Sequence, residues 1–207
     1  PVSFSFVMIT VIGATNIDII ATTQAAFVPN DSNPSHIIMG VGGVAKNMAH
    51  NLTLMGEKVQ FISIFARDYL GEVCLDECHR LGFNTDLSYA PHESHCSMFV
   101  CINNTQGNMQ AAASDVEIID RFLTPEFLAD RMEQINKSGL VLMDATLSVT
   151  AMQYLMSNCT VPLLADGVSS RKAVRIYEAL KGSEYAHLHS LKLNEIEAKR
   201  ILCNSGL

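Results

Sequence analysis

One feature constrains this chain more than any other: from Leu123 onward, helical and strand-like segments alternate without a break. Thr124 to Ile135 reads as a helix, with Thr124 as N-cap and Pro125 at the first helical position. Leu140 to Asp144 is a short apolar run ending in an acid, and reads as a strand. Ser148–Ser157 is then a helix, Val161–Asp166 a strand, Arg171–Leu180 a helix, Ala186–Leu191 a strand and Glu195–Leu202 a helix. A chain of this order forms an open parallel sheet with helices on both faces. Ligands on such sheets bind beyond the carboxyl ends of the strands. Asp144, Asp166 and Asn194 are each placed at or just past such an end.

The first half of the chain follows the rule less strictly. Val7 to Ile12 is a β-branched run closed by Gly13, the pattern of a strand buried on both faces. Ile17 to Ala25 is apolar, Val28 to His36 is turn-rich, and Ile37 to Val41 is strand-like. Gly42-Gly43 then opens a helix over Val44–Met55, with Met48, Leu52 and Met55 in helical spacing and Gly56 behind it. Val59–Phe65 predicts a strand and Gly71–Leu81 a helix. Ser97–Ile102 and Met109–Ala113, joined by a polar turn, predict a β-hairpin. The hairpin and the stretch between Gly13 and Gly42 are not helical crossovers. They predict a small β lid over residues 15–40 and 94–113, beside an α/β domain built from 1–14, 41–93 and 114–207.

Composition excludes several classes. The formal net charge of -7 argues against a nucleic-acid backbone as the main partner. No apolar stretch is long enough to span a membrane, and no basic segment precedes the apolar start, so a cytoplasmic protein is expected. The chain begins at Pro1, and Met8 is a candidate natural start. The six cysteines lack the paired spacing of a zinc site, and buried free thiols are expected.

Three short segments could carry chemistry. In Gly42-Gly43-Val44-Ala45-Lys46-Asn47, two glycines at a helix start let backbone amides approach a ligand, and Asn47 can donate to and accept from hydroxyls. A tight strand-to-helix turn would look the same. Asn16 and Asp18 place an amide and a carboxylate just past the first strand, suited to sugar hydroxyls or to a plain strand-end turn. A single glycine there, Gly13, is no dinucleotide fingerprint, so a nicotinamide cofactor is not supported. Asn194 and Glu197 share one face at a helix start. They could hold a hydrated Mg²⁺, form a capping box, or do both. The histidines, among them His92 and His95 beside the hairpin and His187 and His189 in a strand, form no readable catalytic set.

The order of these segments is more specific than any one of them. Asn16-x-Asp18 after the first strand, Gly42-Gly43-x-x-x-Asn47 at a helix start and Asn194-x-x-Glu197 after a late strand resemble the PfkB, or ribokinase-like, carbohydrate kinase family. The resemblance covers essentially the whole chain. Asp31-Ser32-Asn33-Pro34, Asp166-x-Val168-Ser169 with Lys172, and Leu191-Lys192-x-Asn194 are similar to the branch that acts on pseudouridine. The resemblance implies a ribokinase-like α/β fold and ATP-dependent phosphorylation of a nucleoside's ribose 5′-hydroxyl. It implies that Asn16, Asp18, Gly42, Gly43 and Asn47 bind the sugar. Lys172, Asn194 and Glu197 would serve the phosphates of ATP and a Mg²⁺ ion, Glu197 through water. A homodimer through the β lid is also implied. A different sugar kinase, or a non-catalytic sugar- or nucleoside-binding protein, would share these segments.

Departures from the family pattern bear on this expectation. Ala45, Ala66 and Gly167 stand where the family has glycine, glycine and proline. All three are expected to be tolerated unless Ala66 needs a positive φ. The family's Gly-Ala-Gly-Asp turn, which carries the general base, does not occur before Leu207. The resemblance therefore implies a C-terminally incomplete kinase sequence, with no catalytic base within these residues.

Overall fold

A computed structural model describes residues 7–182 and 187–205 of the chain. Its elements run β1 (Ile9–Ile12), β2 (Asn16–Thr23), β3 (Ser35–Gly42), α1 (Val44–Leu54), β4 (Val59–Ile62) and α2 (Tyr69–Arg80). They continue β5 (Met98–Asn103), β6 (Met109–Asp115), α3 (Glu117–Phe122), α4 (Pro125–Ala129), α5 (Met132–Ile135) and β7 (Leu140–Asp144). The chain then forms α6 (Val149–Asn158), β8 (Leu163–Asp166), α7 (Ser170–Lys181), β9 (Ser190–Lys192) and α8 (Glu195–Ser205). No helix among the described residues is long and apolar enough to cross a membrane.

The strands form two sheets. The first has five strands in the order β4-β1-β7-β8-β9, every pair parallel. Every residue of β4 is buried, as are Thr10, Val11 and Ile12 of β1, so this sheet is covered on both faces. The main core lies here, around Phe61, Ile12, Ile62, Met143, Met152 and Leu155. The α/β alternation expected from Leu123 onward is therefore the observed architecture, and it is a ribokinase-like one.

The second sheet has four strands in the order β3-β2-β5-β6 and is mixed. β2 runs antiparallel to β3 and parallel to β5, and β5–β6 is the expected hairpin. Alternation along the strands puts Asp18, Phe99, Ala112 and Ser114 on one face. That face turns toward the carboxyl ends of the parallel sheet. Its edge strand β3 is exposed from His36 to Gly40, and β6 is exposed throughout.

Several local readings change. The helix expected over Thr124–Ile135 is two short ones. Thr124 caps the first as expected, accepting from the Phe127 amide. The break at Asp130-Arg131 arises because Arg131 turns inward, donating to the Leu87 and Phe127 carbonyls and stacking over the Phe127 ring at 3.5 Å. α3 is unforeseen, because Val116 at its N-cap offers no side-chain cap. The strand expected over Ala186–Leu191 shrinks to β9. His187 and His189 precede it, and Ala186 lies outside the described residues. Of the thiols expected to be buried, Cys203 is exposed. Cys74 and Cys96 lie buried in contact, sulfur to sulfur at 3.8 Å.

Candidate functional site

The two sheets enclose a cavity of about 430 Å³, within the range of small-molecule sites. Of the residues selected from sequence, Asn16, Asp18, Gly43, Asn47 and Lys172 line it. Asn16 is 7% exposed and its amide donates to the Asp18 carboxylate. Burial pushes the Asp18 carboxyl above its ordinary value, while the Asn16 amide and the Lys46 ammonium pull it back. Lys46 is itself buried and donates to the Val41 carbonyl at 3.0 Å. The half-buried carboxylate at the cavity wall is thus an oriented hydrogen-bond acceptor.

The glycine pair does two separate jobs. Gly43 occupies the N-cap of α1 with φ 101°, and a Cβ there would come within 2.4 Å of the Ala14 carbonyl. Only glycine takes this conformation at such close approach, and it leaves the helix start open to the cavity. Gly42 does not line the cavity. A Cβ on it would lie 2.0 Å from the Asp18 carboxylate, so Gly42 makes room for that side chain. Asn47, one turn into α1, is exposed.

Asp144, at the end of β7, organises this corner. It is wholly buried and accepts from the Ala45 amide at 2.9 Å, from the Thr146 amide at 2.9 Å and from the Thr146 hydroxyl. Burial raises its pKa, against these hydrogen bonds and the pull of Lys172. The carboxylate joins the first turn of α1 to the end of the parallel sheet, and so sets Gly43 against Thr146. Ala45 is buried tightly beside Gly13, where the missing Cβ also admits Asp144.

Lys172 lies in the first turn of α7, where the helix macrodipole disfavours a cation. Burial lowers its pKa, and Asp144 raises it. Among the described residues, no carboxylate lies within ion-pair distance of its ammonium. Asn194 and Glu197 lie away from the cavity and form a capping box at the start of α8. The Asn194 amide donates to Glu197 Oε2 at 2.9 Å and its side chain to Oε1 at 2.7 Å, while the Glu197 amide donates to Asn194 Oδ1 at 2.9 Å. Glu197 is 2% exposed, with both carboxylate oxygens engaged.

The family departures have local reasons. Ala66 is not among the residues with positive φ. Its carbonyl packs on Gly71, where a Cβ would come within 2.1 Å. Gly167 is more than tolerated: a Cβ there would meet Leu193 at 2.6 Å and Glu197 at 2.8 Å. Val168 and Ser169, named in the Asp166-x-Val168-Ser169 segment, also line the cavity, from the loop after β8. Other cavity residues were not singled out from sequence: Met98, Phe99, Met109, Ala112 and Val116 form an apolar wall on the second sheet and its exit, and Thr146 follows β7. The hairpin pattern located the apolar wall without showing which face met a ligand.

The fold and cavity define an open α/β protein with a mixed second sheet over a cavity of polar and apolar side chains. Residues 7–203 match the pfkB family carbohydrate kinase, and the chain belongs to that family. It is 32% identical over 190 residues to the sugar kinase YeiI of Escherichia coli (strain K12), covering 90% of this chain and 51% of that protein. It is 31% identical over 195 residues to the pseudouridine kinase of the same organism, covering 93% of this chain and 60% of that one. A solved carbohydrate kinase from Agrobacterium tumefaciens superposes with a TM-score of 0.78 at 28% identity, over 94% of this chain and 62% of the other. The chain thus spans between about half and three-fifths of the lengths of these curated relatives.

Proposed function

We propose that this chain is the substrate-binding portion of an ATP-dependent kinase that phosphorylates the ribose 5′-hydroxyl of a nucleoside, pseudouridine first. One observation carries the reading: a single cavity is lined both by Asn16, Asp18, Gly43 and Asn47 and by the apolar side chains of Met98, Phe99 and Met109, with Phe99 beside Asp18 across the strand pair. The polar set matches ribose hydroxyls, with Asp18 accepting, Asn16 holding it in place, and Asn47 free to donate or accept. The apolar wall matches the face of a nucleobase, which a bare pentose lacks. This favours a nucleoside kinase over a simple sugar kinase, a choice that identities of 32% and 31% leave open.

Lys172 contributes charge rather than proton transfer. Lys172 lines the cavity beside Ser169, and its charge would stabilise a phosphoryl group delivered from ATP. Mg²⁺ would accompany the nucleotide. Glu197 could meet it only after releasing Asn194, so no step is assigned to it. No group in this chain is assigned as the general base. The second sheet acts as a lid over the sugar. Its exposed edge, with Ile37, Ile38 and Met39 between 61% and 67% exposed, is assigned to contact with a second copy.

The test is ATP consumption by the full gene product with Mg²⁺ and, in turn, pseudouridine, uridine, adenosine, ribose and fructose 6-phosphate. Turnover highest with pseudouridine is the expected result. A folded protein that binds these compounds without turnover would leave a binding protein as the better reading.

A further inference from the structure

Val168 has a backbone that valine rarely adopts. Its φ is 61°, in the left-handed region, where a β-branched side chain crowds its own backbone. The Ser169 amide donates to the Gly167 carbonyl at 2.6 Å, closing a three-residue turn centred on Val168. Such strain persists only where the surroundings fix it. Here the Asp166 carboxylate accepts from the Val168 amide at 2.8 Å and from the Lys192 ammonium at 2.9 Å. The Gly167 amide donates to the Lys192 carbonyl at 3.1 Å. Gly167 packs against Leu193 and Glu197 with no room for a Cβ. Loop, β9 and the start of α8 therefore hold one valine in a costly conformation, and that valine lines the cavity.

The turn could relax if glycine or asparagine stood at 168, since both accept positive φ. Val168 brings an apolar side chain, partly buried against the core, to the cavity wall from the loop after β8, whereas Met98, Phe99, Met109 and Ala112 come from the second sheet. A ligand between them meets apolar surface from both. A flat ring has apolar faces to give to both. A bare pentose would leave hydroxyls dry and unpaired there.

We infer that Val168 is a specificity-determining residue, held in the cavity by a strained turn so that a substrate bearing a flat ring is preferred over a bare pentose. This rests on the nucleoside-kinase reading above. The experiment compares the full gene product with Val168→Gly and Val168→Asn. It measures kcat/KM for pseudouridine and for ribose, and the melting temperature of each protein. Both variants should melt at or above the wild-type temperature, because strain is relieved. Both should lower the pseudouridine-to-ribose ratio of kcat/KM by about tenfold, the scale of losing a methyl contact in an apolar pocket. Variants that keep the ratio while the wild type remains active overturn this inference alone. Variants that melt several degrees lower overturn it too, by making Val168 a packing residue. A wild type inactive on every nucleoside and sugar overturns the kinase reading and this inference together.

Discussion

The two sheets share one cavity but are held in different ways. In the parallel sheet, β4 is wholly buried, and apolar side chains fill the space between strands and helices. In the second sheet, β6 is exposed along its length and β3 nearly so, although Ile37, Ile38 and Met39 are apolar. The first is stabilised by its own core. The second meets that core through the buried Ile17 and is held to the start of α2 by the Cys96 amide on Asp68. A rigid half that carries Lys172 and a lightly attached half that carries Asp18 is the division of labour that the proposed kinase site would require.

The sharpest way to break the rigid half is to remove Asp144. Asp144→Ala leaves the buried Ala45 and Thr146 amides without an acceptor. At roughly 1–3 kcal/mol per orphaned group, the full gene product should lose about 3 kcal/mol of stability. Thermal or urea unfolding reads this directly, and an unchanged midpoint would remove Asp144 from the architecture of the site. Asp144→Asn should lose less, because one carbonyl oxygen still accepts while its NH₂ opposes a donor.

The lightly attached half is tested through Asp18, where function should suffer more than the fold. Asp18→Asn keeps the shape beside Gly42 but replaces an acceptor-only carboxylate with a mixed amide. The kcat/KM for the nucleoside should fall by roughly a hundredfold, the penalty of mispaired groups in a hydroxyl site. The melting temperature should stay close to wild type, because Asp18 is half-buried and its burial opposes its charge. Near-normal activity would move the sugar elsewhere.

Legibility in the sequence followed the same division. Leu140–Asp144 was readable to the residue because a strand buried on both faces must be a continuous apolar run. The Gly42-Gly43 helix start, Thr124 as a cap and the hairpin were readable because each depends on local chemistry. The break at Arg131 was not, since its cause is a carbonyl at Leu87, far away in sequence. Asp144 was visible as an acid at a strand end, but its partner Ala45 is 99 residues away. Val168 carries no local sign at all, because nothing about a valine announces positive φ. Cavity residues of the second sheet were hidden for another reason: alternation fixes which side chains share a face, not which face meets a ligand.

The exposed edge offers a third test with a smaller effect on folding. Ile38→Lys puts a charge on a strand that is 65% exposed at that position. If a second copy covers this edge, sedimentation of the full gene product should shift from dimer to monomer. Unfolding stability should change by no more than about 0.5 kcal/mol, as expected for an exposed position. A wild type that is already monomeric would leave the apolar edge to another partner.

The smallest expected effect concerns how β6 is fastened at its far end. His95, just before β5, pairs with Asp115 at the end of β6 at 2.9 Å, and both side chains are largely exposed. The Asp115 carboxylate beside it raises the His95 pKa above its ordinary 6.5. The Glu117 amide, and then His95 itself, hold Asp115 below its usual value. For a histidine whose folded pKa is raised, the stabilisation is complete below pH 6.5 and is lost as pH rises through the folded value. The fastening should therefore loosen as pH rises above 6.5, in the sense opposite to a carboxylate losing its partner on acidification. Amide exchange at Ala113 and Ser114, corrected for its intrinsic pH dependence, should show lower protection at the higher pH. Asp115→Asn should flatten that profile, while exchange in β4 of the parallel sheet stays level in both proteins. A wild-type profile equally flat in β6 would show that the pair contributes nothing to holding the second sheet.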